Sequence, residues 1–221
     1  MQVSAENCRV LEDFCDFLLL YNQNVNLTAI REKEEAEEKH LLDSLMGQRF
    51  FPEGATVAEI GSGGGFPSVP LLAVRPDLKF TQMESVEKKC VFLREVNKRF
   101  HFSAKVLCVR AEDAGKDPSY REQYDAVTAR AVANMRTLAE YCLPLLKVGG
   151  VFVAYKGTEE KTVQELKEAE NALAVLGGKV KEKFCYTLPK GETHTVVIIE
   201  KVRPTPPKYP RGHGKERSNP L

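Results

Sequence analysis

The residues of this chain best suited to chemistry gather around one stretch, EIGSGGGFPSVPLL, Glu59 to Leu72. Gly61, Gly63, Gly64 and Gly65 fall within five positions, just after the apolar pair Val57–Ala58. Glycines so placed let backbone approach a cofactor closely, and three cofactor types compete for them. A triphosphate loop needs GxxxxGK[ST], and no lysine follows these glycines. A dinucleotide fingerprint needs a third glycine so that helix can pack on strand. Phe66 stands in that place, and Pro67 occupies the helix start, where its missing N–H is not needed. The third type carries no pyrophosphate, so the glycines would serve close approach rather than charge neutralisation. Two further acidic positions belong with the loop: Glu84, nineteen residues past Gly65, and Ala111–Glu112–Asp113.

Those groups need a scaffold. From about residue 55, short apolar runs alternate with amphipathic segments. The runs predict strands at 56–61, 79–85, 104–110, 124–130, 150–156, 183–189 and 193–201. Val86, Cys90, Leu93, Val96 and Phe100 mark one face of a helix, and Val163, Leu166, Leu173 and Leu176 another that stops at Gly177–Gly178. Strand–helix alternation implies a parallel sheet covered on both faces. Only PKGETH separates the last two strands, too short for a crossover, so they form an antiparallel hairpin. The expected fold is α/β: a Rossmann-like, seven-stranded, mostly parallel sheet with an antiparallel terminal hairpin and an N-terminal helical cap. The boundaries are a cap over 1–50, a sheet domain over 51–202 and a basic, Pro-rich tail over 203–221. Its prolines predict an extended or flexible tail. An open sheet of this kind binds ligands at the carboxyl ends of its strands. The glycine loop, Glu84 and Glu112 all fall there.

GxGxG after a strand carrying the acid Glu59 resembles the first motif of class I methyltransferases, whose cofactor is S-adenosylmethionine. Glu84, ending the second strand, is placed to accept hydrogen bonds from both ribose hydroxyls; as an alternative it caps the helix that begins at VEKK. Ala111, Glu112 and Asp113 occupy the usual adenine position. The end of the fourth strand, DAVTARAVANM, carries the chemistry in this fold. It lacks the [DN]PP[YF] of exocyclic-amine enzymes and the cysteine of cytosine-C5 enzymes. Lys156 and Asp125 form no evident hydroxyl-deprotonating set. A target whose lone pair carries no proton remains, and guanine N7 is one. Its transfer needs orientation rather than a general base.

The stretches YNQNVNLTAI, HLLDSL, MESVEKKCVFLREV, RAEDAG, LPLLKVGGVFVAYKG and YPRGHGKERSNPL, with the two already quoted, run from the cap to the last residue. On them the chain resembles the bacterial 16S ribosomal RNA guanine-N7 methyltransferase family, once called glucose-inhibited division protein B. The resemblance implies a monomeric, cytosolic enzyme that methylates N7 of one guanine near the ribosomal decoding region. Its partner would be 16S rRNA or the small ribosomal subunit. Carried over by position, Gly61, Phe66, Ala111, Glu112 and Arg130 match the family's cofactor residues, and Glu84, Ser85 and Val86 its second-strand segment; Gly63 and Gly65 complete the loop. Ser68 departs from the family's more frequent glycine, with little effect expected. The rival readings are a class I methyltransferase acting on another RNA base or a small molecule, and a cofactor-binding RNA module without turnover. A dehydrogenase is opposed by Phe66.

On the substrate side the candidates are Asn26, His40 and Asp43, which either shape the substrate pocket or tether the cap to the sheet, Arg130, and Lys156, which either meets RNA phosphate or lies at a solvated strand end. His40 and Asp43 are three apart and share a helical face. Arg130 either holds the cofactor, contacts RNA or forms a loop-organising salt bridge. A net charge of +1 leaves nucleic-acid contacts to local patches. Candidates are Lys88–Lys89 and Lys98–Arg99, whose commoner meaning is a solvated helix face, and, above all, Lys208, Arg211, Lys215 and Arg217 in the tail. Removal of everything after Pro204 is expected to weaken RNA methylation and spare cofactor affinity. No CxxC pair occurs among the six cysteines, so buried, reduced thiols and no metal are expected. No apolar run approaches bilayer length and no secretory signal is visible, so the expected setting is soluble and cytoplasmic, away from membranes.

Overall fold

The structure, a computed structural model, describes residues 3–221. The cap is built from α1 (Ala5–Tyr21), α2 (Lys33–Ala36), a π-helical turn (Glu37–Leu42) and α3 (Asp43–Met46). Ser4 starts α1 by accepting from the Asn7 N–H at 3.1 Å. Asn22 follows the last turn and folds the chain back with its side chain: it accepts from the N–H groups of Leu27 and Thr28 and donates to the Thr28 carbonyl. The chain then runs β1 (Thr56–Ile60), α4 (Ser68–Val74), β2 (Lys79–Glu84), α5 (Glu87–Arg99), β3 (Lys105–Cys108) and α6 (Ala111–Ala114). It continues through β4 (Tyr124–Arg130), α7 (Met135–Cys142), β5 (Leu146–Lys156), α8 (Glu159–Glu168) and α9 (Glu170–Leu176), and ends with β6 (Gly178–Thr187), β7 (Thr193–Lys201) and α10 (Lys215–Ser218).

The sheet order is β3-β2-β1-β4-β5-β7-β6, parallel except where β7 runs against both β5 and β6. Order reverses between β1 and β4, so the carboxyl end of β1 opens a crevice there. Alternate residues along the central strands feed two cores. Val57, Ala126 and Val153 face α1, α4 and α5. Ala58, Val127 and Phe152 face α7 and α9. Burial on both faces explains why these strands read as unbroken apolar runs.

Three elements depart from expectation by more than a residue or two at an end. Strand β6 begins at Gly178 rather than 183, because Lys179, Lys181 and Glu182 lie along an exposed edge and give no hydrophobic signal. Strand β5 begins at Leu146, with a register shift opposite Tyr124–Ala126 and Gly149 at φ +87°; the bulge hides the alternation. The helix expected over 159–176 is two helices meeting at the buried Ala169.

Candidate active site

At the crevice the sequence's glycines meet its acids. The Gly61 and Ser62 N–H groups donate to the Met83 carbonyl, at 2.9 and 3.2 Å. This ties the loop to the end of β2. The buried Glu84 carboxylate accepts from Gly63 N–H at 3.0 Å and from Val86 N–H at 2.9 Å. It therefore holds the glycine loop beside the start of α5, and it also lines the cavity at this end of the sheet. Gly61 has φ +69°, and a Cβ there would lie 2.7 Å from Val132 Cγ2. Only glycine fits that turn without strain.

Behind the loop lies a buried polar chain that no motif announced. Ser68 donates its N–H and its hydroxyl to the two oxygens of Glu59, at 2.7 and 2.6 Å. Its hydroxyl accepts from Gln82, whose carbonyl oxygen accepts from Asn97. Burial pushes the Glu59 carboxyl up to about 7, against the lowering effect of the Ser68 bonds. Ser68 is fully buried, so the small consequence expected of this position gives way to a supporting role for the loop.

A cavity of about 770 Å³ opens at this end of the sheet. Gly61, Glu84, Ser85, Ala111 and Glu112 line it as expected, together with Asp113. Five other expected cofactor residues sit elsewhere. Gly63 is spent on Glu84. Gly65 (φ +88°) faces Val69 and Leu93. Val86 is exposed at the start of α5. Phe66 is buried between Phe14 and the stacked His40 ring, with centroids 5.6 and 4.5 Å away. Arg130 ends β4 just before the lining residues Ala131 and Val132.

Gly212, His213, Gly214 and Arg217 of the tail also line the cavity. Of the two readings of the tail, extended or flexible, its contacts oppose the flexible one, and the short α10 forms a helical turn in it. Arg121 donates to the Thr205 and Tyr209 carbonyls at 2.7 Å each. Thr137 donates to the Glu216 carbonyl at 2.8 Å, and Arg136 holds the terminal Leu221 carbonyl at 2.6 Å. Proline removes donors but leaves carbonyls, and it is carbonyls that the core's arginines grip. Arg211 is a second correction. Its guanidinium grips the fully buried Glu140 at 2.7 and 2.9 Å, and its own N–H donates to the same carboxylate. It is committed inward rather than to phosphate. Lys208, Lys215 and Arg217 are exposed.

On the cap side, Arg130 joins helix to sheet. Its Nε donates to Asp43 Oδ2 at 2.8 Å, and an amino group donates to the Lys39 carbonyl. Asp43 also accepts from Tyr186 at 2.6 Å and sits 2.5 Å from His194 Nδ1. Burial opposes ionisation of Asp43, but the His194 bond and the Arg130 charge hold its carboxyl below the usual range. His194 is raised by the same bond. His40 bonds Thr28 at 2.7 Å and lies 3.3 Å from Arg130; burial first, then the Arg130 charge, lowers it to about 4. It is therefore neutral near pH 7. The π-helical turn places His40 and Asp43 on Arg130 together. The loop-organising reading of Arg130 is thus the one its contacts match. Asn26 is exposed on the preceding loop. Lys156, expected either at RNA phosphate or at a solvated strand end, instead pairs with Glu165 at 2.6 Å and donates to the Ala133 carbonyl. Tyr186 and His194 escaped the sequence reading because they come from the far hairpin.

Comparison with known proteins decides the family. The family model described as "rRNA small subunit methyltransferase G" (GidB) matches residues 7–194. The chain belongs to this family. It is 43% identical over 210 residues to a ribosomal RNA small subunit methyltransferase G of Alkaliphilus metalliredigens, covering 93% of this chain and 87% of that one. It is 41% identical to a protein of the same name from Leuconostoc mesenteroides, covering 99% and 93%. Among solved structures, an O-methyltransferase from Bacillus cereus in complex with SAH shares the fold with a TM-score of 0.59 at 18% identity, covering 86% of this chain and 91% of that one. Cofactor-bound Rv0187 from MTB does so at 0.59 and 15%, covering 92% and 100%.

The cavity of this GidB-family chain suits S-adenosylmethionine in its donor set and its shape. Gly61 leaves bare backbone where a Cβ would collide, and Glu84 keeps lone pairs for ribose hydroxyls beyond the two N–H groups it accepts. The volume lies within the usual range for cofactor sites, roughly 300–1,000 Å³.

Proposed function

We propose that this chain transfers a methyl group from S-adenosylmethionine to N7 of a guanine in small-subunit ribosomal RNA, near the decoding region. The observation that carries the cofactor reading is the meeting of Gly61, Glu84, Ala111 and Glu112 around one cavity at the reversal of strand order. When bound, the cofactor supplies an electrophilic methyl on a sulfonium centre. Glu84 would hold the ribose, Ala111 and Glu112 would flank the adenine, and the Gly61 backbone would lie against the amino-acid part. The end of β4 turns Ala131 and Val132 to the cavity, and neither side chain accepts a proton. That composition suits a nucleophile whose lone pair is already free, with catalysis by orientation at about 3–3.5 Å. Arg130, fixed by Asp43, braces the pocket from the cap side and gives no proton to N7. Lys89, Lys116 and Arg217 rim the cavity with positive charge, and together with the exposed tail residues Lys208 and Lys215 they would meet RNA phosphate. The enzyme works as a cytoplasmic monomer, and methyl transfer itself draws on no metal ion. No described helix is long and apolar enough to cross a membrane.

The test is transfer of tritiated methyl to small-subunit RNA, and to subunits, from cells lacking the enzyme, followed by nucleoside analysis. Label in 7-methylguanosine is expected. Label in any other nucleoside, or cofactor binding without transfer to either substrate, overturns the proposal.

A further inference from the structure

Outside the cavity, one cluster brings together ligand-type side chains that the proposed reaction does not use. Glu87, Cys90 and Cys108 each offer an atom within 4.8 Å of the other two. The fold makes this cluster. Glu87 and Cys90 are three apart on the first turn of α5, so they share a face. Cys108 ends β3 as the register partner of Glu84, which brings it beneath that turn. Cys90 is buried, whereas Glu87 and Cys108 are exposed, so the site has a floor and an entrance. We propose that Glu87, Cys90 and Cys108 form a binding site for a thiophilic divalent cation of the zinc group.

The donor set selects that class. Two thiolates are soft ligands that magnesium and calcium avoid, and one carboxylate oxygen completes a three-ligand set that leaves a coordination position open. Tetrahedral zinc with Zn–S bonds near 2.3 Å sets its sulfurs about 3.8 Å apart, inside the 4.8 Å within which the three ligand atoms already lie. On binding, each thiol gives its proton to solvent, and the two Sγ atoms and a Glu87 oxygen donate electron pairs to the ion. Glu87 must loosen its 2.8 Å contact with Arg94, an exposed pair of little strength. The site also touches the cavity wall, because the Cys90 thiol donates to the Glu84 carbonyl at 3.3 Å. Metal binding removes that S–H donor. If the cavity is the cofactor site, loss of one such weak bond behind its wall lowers cofactor affinity roughly twofold to threefold, the low end for a hydrogen bond.

Cadmium chloride titrated into the full, reduced protein tests the site through its thiolate charge-transfer absorbance in the ultraviolet, with zinc chloride in competition. One equivalent of cadmium should bind tightly, displaced by zinc. Cys108→Ser should abolish this binding and Glu87→Gln should weaken it, whereas Cys185→Ser should leave it unchanged; circular dichroism confirms that each variant is folded. Equal titrations for the parent and folded Cys108→Ser overturn the site. S-adenosylhomocysteine affinity, measured with and without one equivalent of cadmium, should fall in the range above. An unchanged affinity overturns the coupling alone, and absence of S-adenosylhomocysteine binding to metal-free protein overturns the cofactor reading instead.

Discussion

Arg211→Ala separates a basic tail that reaches for RNA from one that closes the protein. Glu140 is fully buried, and three of its hydrogen bonds come from Arg211: the backbone N–H, Nε and a terminal amino group. The substitution keeps only the backbone donor and leaves a carboxylate in the core without its counter-ion. Removing one partner of a buried pair costs about 3–5 kcal/mol. The Arg211 side chain is 20% exposed, so water can reach part of the vacated space, and the low end, about 3 kcal/mol, is expected. For a chain of this size that is a fall of roughly 6–12 °C in melting temperature. Gly212, His213 and Gly214 follow directly and line the cavity, so S-adenosylhomocysteine affinity should fall as well. Differential scanning calorimetry and titration calorimetry measure both. Combining the change with Glu140→Gln should recover part of the lost stability, because neither charge is then left alone. A melting temperature within about 2 °C of the parent, with RNA binding alone reduced, would refute this reasoning and return Arg211 to the phosphate face.

Other outcomes follow from the same geometry. Truncation after Pro204 should impair cofactor binding along with RNA methylation, since four lining residues leave with the tail; calorimetry showing intact cofactor affinity would contradict this. Glu84→Ala should weaken S-adenosylmethionine binding by about 3 kcal/mol, roughly a hundredfold, through two lost charge-assisted bonds to ribose, and an unchanged calorimetric affinity rules out the ribose role. His40 bears on pH. Its folded value is lowered from 6.5 to about 4, so between these pH values the unfolded chain holds a proton that the folded chain does not. Its contribution is full above 6.5 and is lost as pH falls toward 4. Glu59, raised to about 7, acts in the opposite sense across much of this window, so the parent alone should show a shallow profile. The stability difference between the parent and His40→Gln should rise by up to about 3 kcal/mol from pH 4 to 6.5. Urea denaturation across that range checks it, and a flat difference would show that His40 is not held neutral.

By itself the sequence determined the sheet, the place of its cofactor crevice and the acids that face it. Those signals are local. Apolar runs buried on both faces mark the central strands, and a glycine loop with acids at two later strand ends needs only the chain order of a doubly wound sheet to be placed. The tertiary structure decided what each charged group is spent on. Arg211 and Lys156 read as candidates to meet RNA, and Arg130 left cofactor, RNA and a salt bridge open. Each meets an acid distant in the chain: Glu140, Glu165 and Asp43. Burial with a partner is a long-range property that residue type does not carry. The same reason hid Tyr186 and His194 on the hairpin, the Glu59–Ser68–Gln82–Asn97 chain behind the loop, and the Cys90–Cys108 pair, whose members come from an α5 turn and a β3 end. The prolines of the tail, read as making it extended or flexible, leave its carbonyls open to Arg121, and the tail becomes a wall of the cavity.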